Sequence, residues 1–108
     1  MSSHPDVLIL GGGVIGLTCA YFLAREGLNV EIADKGEFGQ EASWAGAGVL
    51  TAGDPDRART PFDRLRAHGV ALFPTLSAEL RERTGVDNGY RRCGGLEILA
   101  PADEPSRE

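Results

Sequence analysis

The chain has 108 residues, 42% of them hydrophobic and 25% charged, with 11 basic against 16 acidic side chains and a formal net charge of -5 at pH 7. This is the composition of an ordinary globular chain of about one domain, and its acidic balance, with no basic patch, argues against nucleic acid or an anionic membrane as the main partner. No apolar run approaches bilayer-spanning length and the opening MSSHPD lacks the charged-then-apolar form of a secretory signal, so a cytoplasmic location is expected.

Residues Met1 to Pro5 read as a frayed terminus. Asp6 to Leu10 (DVLIL) is a continuous apolar run with β-branched members, the pattern of a strand buried on both faces in a parallel sheet. From Val14 to about Glu26 the apolar residues Ile15, Cys19, Phe22 and Leu23 fall at steps of three or four, which predicts a helix stopped by Gly27. Asn29 to Ala33 reads as a second short strand. Strand, helix and strand in about thirty residues form a βαβ unit with parallel strands and a right-handed crossover.

Gly36 to Gly53 changes to glycine, alanine and serine; within it Ala42 to Gly48 can begin a short helix. A long helix is expected from Thr60 as N-cap with Pro61 at its first position, through Phe62, Leu65, Gly69, Leu72, Phe73, Leu76 and Leu80, to a stop at Gly85. Pro74 is expected to kink or split it. Asn88 to Ala100 then alternates like two short strands around Gly94 and Gly95, and Pro101 to Glu108 is a polar tail. Of the two cysteines, Cys19 fits a small buried packing residue, and neither it nor Cys93 has metal-ligand spacing around it.

The chemistry is concentrated in LILGGGVIG, Leu8 to Gly16. A phosphate needs several donors at short range, and the first turn of a helix offers unpaired N–H groups backed by the positive end of the dipole. Gly11 allows the sharp turn out of the strand, Gly13 lets a pyrophosphate reach the backbone, and Gly16 lets the helix pack closely on the sheet. Asp34 ends the second strand about twenty residues later, where a carboxylate can accept the ribose hydroxyls of an adenosine and would repel a 2′-phosphate. The unit therefore binds an ADP-containing dinucleotide, with NAD and FAD both open at this point. Downstream, QEASWAGAGVL crowds small residues around Trp44, and a short helix from Ala42 would bring a second set of N–H groups to the pyrophosphate.

These motifs resemble the FAD-dependent amine and D-amino-acid oxidoreductases, and within them the thiamine-pathway glycine oxidases. The resemblance is carried by DVLILGGGVIGLTCAYFLAREGLNVEIADKG, by ASWAGAGVL and more weakly by TGVDNGYRRCGGLEIL. It implies an α/β fold: the N-terminal part of a Rossmann-like FAD-binding domain over residues 1–88, and the first strands of an α+β substrate domain, truncated, over 89–108. It also implies that Val14 and Ile15 contact the cofactor, that Asp34 with Lys35 holds the adenosine ribose, that Ala42 and Ser43 bind pyrophosphate, and that Ala47, Gly48 and Val49 lie along the isoalloxazine ring. Many relatives have Glu where this chain has Asp34, which alters the reach to the ribose. Some members tether flavin through a histidine near the small-residue loop; the only histidines here are His4 and His68, so non-covalent FAD is expected.

In that family the flavin accepts a hydride from the carbon bearing the amine, the imine hydrolyses to a keto acid and ammonia, and oxygen reoxidises the flavin. The expected partner is thus a small amino acid or amine, with a homo-oligomer left open. No group acting directly on substrate is expected in these residues, since the arginine and tyrosine that hold a substrate carboxylate would lie beyond them. Arg91 and Arg92, adjacent in an extended stretch, would face opposite ways and read as solvated. Two hypotheses stand: the N-terminal piece of a glycine-oxidase-like, D-amino-acid dehydrogenase or sarcosine-oxidase-like enzyme, or a non-catalytic remnant or nucleotide-binding module.

Overall fold

The computed structural model describes residues 4–96 and Ile98. The chain divides into two compact units, Met1–Val49 and Leu50–Glu108.

In the first unit, β1 (Val7–Leu10), α1 (Val14–Arg25) and β2 (Val30–Ala33) form the expected βαβ arrangement. The strands pair in parallel, Val7 opposite Val30 and Leu10 opposite Ala33, and the Gly11 N–H extends the ladder to the Ala33 carbonyl at 2.8 Å. At the other end the Asp6 carboxylate accepts from the Asn29 N–H at 2.8 Å, fixing where β2 begins. Helix α1 stops in a Schellman arrangement: Gly27, at φ +85°, donates to the Ala24 carbonyl and Leu28 donates to that of Leu23. Two expectations change here. The strands alternate between half-buried and exposed positions, because in this unit α1 packs on the two-stranded sheet and Leu8 and Leu10 stay exposed. Cys19 is likewise exposed rather than buried.

The second unit is organised by α2 (Pro61–Thr84), with a short 3₁₀ turn at Pro55–Arg57 before it. Thr60 caps α2 through its hydroxyl, which accepts from the Asp63 N–H at 3.0 Å and donates to the Asp63 carboxylate at 2.7 Å. Gly85, at φ +74°, ends it and donates to the Arg81 carbonyl at 2.8 Å. Of the kink or split expected at Pro74, the split does not occur: α2 continues through it. Proline removes one N–H and crowds the carbonyl four residues back, but the helix runs more than two turns on either side, so flanking hydrogen bonds carry it past the defect. Ala67 is fully packed where Gly53 approaches, with space for no more than a glycine there: a Cβ on Gly53 would lie 3.0 Å from Ala67.

The two strands expected between Asn88 and Ala100 are not formed among the described residues, which are irregular from Gly85 to Leu96. Local polar contacts explain why. The Asp87 carboxylate accepts from the Gly89 N–H and the Asn88 side-chain oxygen accepts from both the Tyr90 N–H and the Ser77 hydroxyl, while Gly89 and Gly94 take positive φ. These side-chain-to-backbone bonds compete with a ladder. The rest of that stretch and the tail Pro101 to Glu108 lie outside the described residues, as do Met1 to Ser3.

Candidate dinucleotide site

The site is built where β1 turns into α1. Gly11 takes φ +109°, a backbone geometry open essentially to glycine, and this reverses the chain into the helix. Gly16 meets a steric demand: a Cβ there would overlap the Gly11 carbonyl oxygen and crowd Ile9 at 3.3 Å. Gly13 is the N-cap of α1, and a Cβ on it would stand 3.1 Å from the Ser43 hydroxyl, facing the 42–45 turn. The three glycines therefore meet three distinct local demands: a positive φ at Gly11, the start of α1 at Gly13 and close backbone packing at Gly16.

The first turn of α1 contains no acidic side chain to neutralise its positive end. Its Val14 N–H donates at 2.8 Å to the Ser43 hydroxyl, so this donor faces outward and is met by an oxygen acceptor 29 positions away. Val14 and Ile15 both expose their side chains. The Ala42 to Gly48 stretch is not a helix. It makes a single turn in which the Trp44 and Ala45 N–H groups both donate to the Glu41 carbonyl at 3.1 Å, after which Gly46 and Gly48, the latter at φ +70°, end any helical continuation. The second set of helix N–H groups expected there is replaced by the Ser43 side chain. Ala42 and Ser43 lie in the turn; Ala47, Gly48 and Val49 follow it in irregular backbone, and among the described residues no hydrogen bond joins them to the glycine turn.

Asp34 follows β2 and reaches back to the glycines. Its Oδ2 accepts from the Gly12 N–H at 2.6 Å and its Oδ1 from the Gly36 N–H at 2.9 Å. The Gly12 bond, then the Gly36 bond, with a smaller contribution from the charge of Lys35, hold this carboxyl below its ordinary value of 3.8. An ionised carboxylate offers about four acceptor positions, so two such bonds leave capacity for ribose hydroxyls. Lys35 is directed elsewhere: its ammonium lies 3.0 Å from Glu41 Oε1, in an exposed ion pair.

Three residues of the site were not singled out from sequence. Gly12 is buried, its carbonyl accepts from the Gly39 N–H at 2.9 Å, and the Phe38 ring covers its α-carbon. The triple glycine and the Phe-Gly pair at 38–39 were the visible signals, but their contact spans two elements. Taken together, side-chain-free backbone at Gly11 and Gly13, a helix N-terminus with no acidic residue in its first turn and an ionised acid at the end of the neighbouring strand fit the pyrophosphate and ribose of a dinucleotide.

Comparison with known proteins decides which dinucleotide. Residues 6–108 match the model of the FAD dependent oxidoreductase family. The chain belongs to that family. Its cofactor is accordingly FAD. Glycine oxidase from Geobacillus kaustophilus is 39% identical over 104 residues, covering 96% of this chain and 28% of the relative. Glycine oxidase from Pseudomonas aeruginosa is 40% identical over 88 residues, 82% of this chain and 24% of the relative. The crystal structure of glycine oxidase from Bacillus cereus superposes with a TM-score of 0.73 at 48% identity, over 82% of this chain and 24% of that one. The chain thus spans about a quarter of the length of the relatives it matches. No helix among the described residues is long and apolar enough to cross a membrane.

Proposed function

We propose that this chain is the N-terminal flavin-binding part of an FAD-dependent amino-acid oxidase acting in the cytoplasm, with glycine as substrate in the sense of its glycine oxidase relatives, which would place it in thiamine biosynthesis. Residues 1–88 would belong to the FAD-binding domain and residues 89–108 would begin the substrate domain. The observation that carries the reading is the Gly11–Gly16 turn with Asp34 bonded to Gly12 and Ser43 on the first N–H of α1.

In this reading Gly11, Gly13, Val14, Ile15 and Gly16 shape and face the pyrophosphate site, Ala42 and Ser43 line its other side, and Asp34 receives the adenosine ribose. Lys35 supports Asp34 by charge while Glu41 holds its ammonium. Ala47, Gly48 and Val49 provide side-chain-poor backbone for the flat ring system. Bound without a covalent tether, the flavin supplies the two-electron oxidation of the substrate carbon–nitrogen bond. The chain's own contribution is to seat and orient it, with the acid ionised throughout the neutral range.

The deciding experiment is to purify the longest natural form, reconstitute it with FAD and record the visible spectrum. Turnover is then followed with glycine, sarcosine and D-alanine under oxygen as peroxide and ammonia released. Flavin absorbance with glycine turnover supports the reading. Absence of flavin absorbance after reconstitution overturns it, and bound flavin without turnover of any of the three amines reduces it to a nucleotide-binding module.

A further inference from the structure

Gly12 occupies the second position of the glycine turn, which the dinucleotide motif leaves unspecified. Nothing in its backbone requires glycine: unlike Gly11 it does not have positive φ. The requirement comes from one side chain. A Cβ on Gly12 would overlap Cδ1 of the Phe38 ring and lie 2.9 Å from its Cγ and Cε1. Its two peptide groups are held by the same segment, the N–H by Asp34 and the carbonyl by the Gly39 N–H.

We propose that Phe38 is a positioning residue of the flavin site: its ring, seated on Gly12 beside the Gly39 and Asp34 bonds, sets the direction of the donors offered to the pyrophosphate. This rests on the flavin-binding reading above. The physical link is peptide planarity. In a trans peptide the C=O and the following N–H point in opposite directions, so fixing the Gly12 carbonyl on Gly39 aims the Gly13 N–H away from it. Phe38 anchors the turn that carries Gly39, at φ +75°, against Gly12. Phe38 is 47% exposed, so a methyl at position 12 would push its ring toward solvent rather than break backbone. At Gly16 the same methyl would meet the Gly11 carbonyl, which no side-chain deletion can relieve.

The test is a double-mutant cycle in the longest natural form, reading FAD affinity by fluorescence titration and Tm of the cofactor-free protein. Gly12→Ala is expected to weaken FAD binding about tenfold and lower Tm, as overpacking does. Phe38→Ala alone should weaken binding less, and the double variant should return to the level of Phe38→Ala. As a control, Phe38→Ala should not rescue Gly16→Ala. Strict additivity of Gly12→Ala and Phe38→Ala in both readouts, or a Gly12→Ala variant equal to wild type, overturns the proposal. Failure of the wild-type protein to bind FAD overturns the flavin reading instead, and is distinguished by the cofactor-free Tm cycle, which needs no flavin.

Discussion

The glycine turn and helix α2 are stabilised on different length scales. Around the turn the deciding contacts are distant in sequence: Gly12 to Asp34 spans 22 positions and Val14 to Ser43 spans 29. In α2 they are local, with Thr60 capping through Asp63, Arg66 beside Asp63, Arg83 beside Glu79 and the Thr84 hydroxyl donating to the Leu80 carbonyl. A helix of 24 residues with a cap at each end is specified by its own segment. A cofactor turn must bring together donors and acceptors that no single segment contains. Substitutions in the first region should therefore change binding, and those in α2 should change stability alone.

The largest effect should come from Gly16→Ala, which sets a Cβ against backbone: loss of FAD binding and a destabilisation of about 3 kcal/mol, measured by urea unfolding of the cofactor-free protein. Gly13→Val separates the two quantities. Its Cβ meets only the Ser43 hydroxyl and no backbone, so FAD affinity should fall at least about tenfold while cofactor-free stability falls by less than in Gly16→Ala, by about 1 kcal/mol. An equal loss of stability in both variants would break the comparison, since the turn would then be uniformly intolerant.

Asp34 sharpens it through pH. The folded state lowers this carboxyl's pKa, so its contribution is fully present above the ordinary value of 3.8 and is lost as pH falls through the lower folded value. Hydrogen-exchange protection of the Gly12 amide should persist as pH drops to 3.8 and be lost only as pH falls further, through the lower folded value. Asp34→Asn should remove that acid dependence and weaken FAD binding severalfold, because the charge-assisted acceptor is gone. Titration of the Asp34 carboxyl above 3.8 would contradict the contacts assigned to it.

Smaller effects belong to α2 and to surface charge. Thr60→Ala should cost about 1 kcal/mol by thermal unfolding and leave FAD affinity unchanged. Glu41→Gln, which removes an exposed ion pair, should change stability by less than about 0.5 kcal/mol. A marked rise in FAD affinity in Glu41→Gln would show that Glu41 restrains Lys35 from the cofactor.

How much could be read in advance follows the same division of scale. The βαβ order, the bounds of α1 and α2, the caps at Thr60, Gly27 and Gly85, and the glycine spacing all followed from neighbouring residues. The failures fell where side-chain-to-backbone bonds, some local and one from a distant element, override the periodic pattern. Alternation after Asn88 suggested strands, but Asp87, Asn88 and two positive-φ glycines turn the backbone locally. Ala42 to Gly48 suggested a helix, but Ser43 is drawn to the N-terminus of α1 and the glycines stop the turn.

By itself the sequence determined the nucleotide class, because a strand, a glycine turn and a helix N-terminus bind phosphate through backbone that needs only the right spacing. Tertiary structure decided which side chains hold that backbone: Asp34 on the Gly12 N–H, Phe38 on its α-carbon, Gly39 on its carbonyl and Ser43 on Val14. The reason is geometric. Periodicity records which face a residue takes within its own element, whereas a clamp between elements exists only once β1 and β2 are paired and the loops leaving them are brought together.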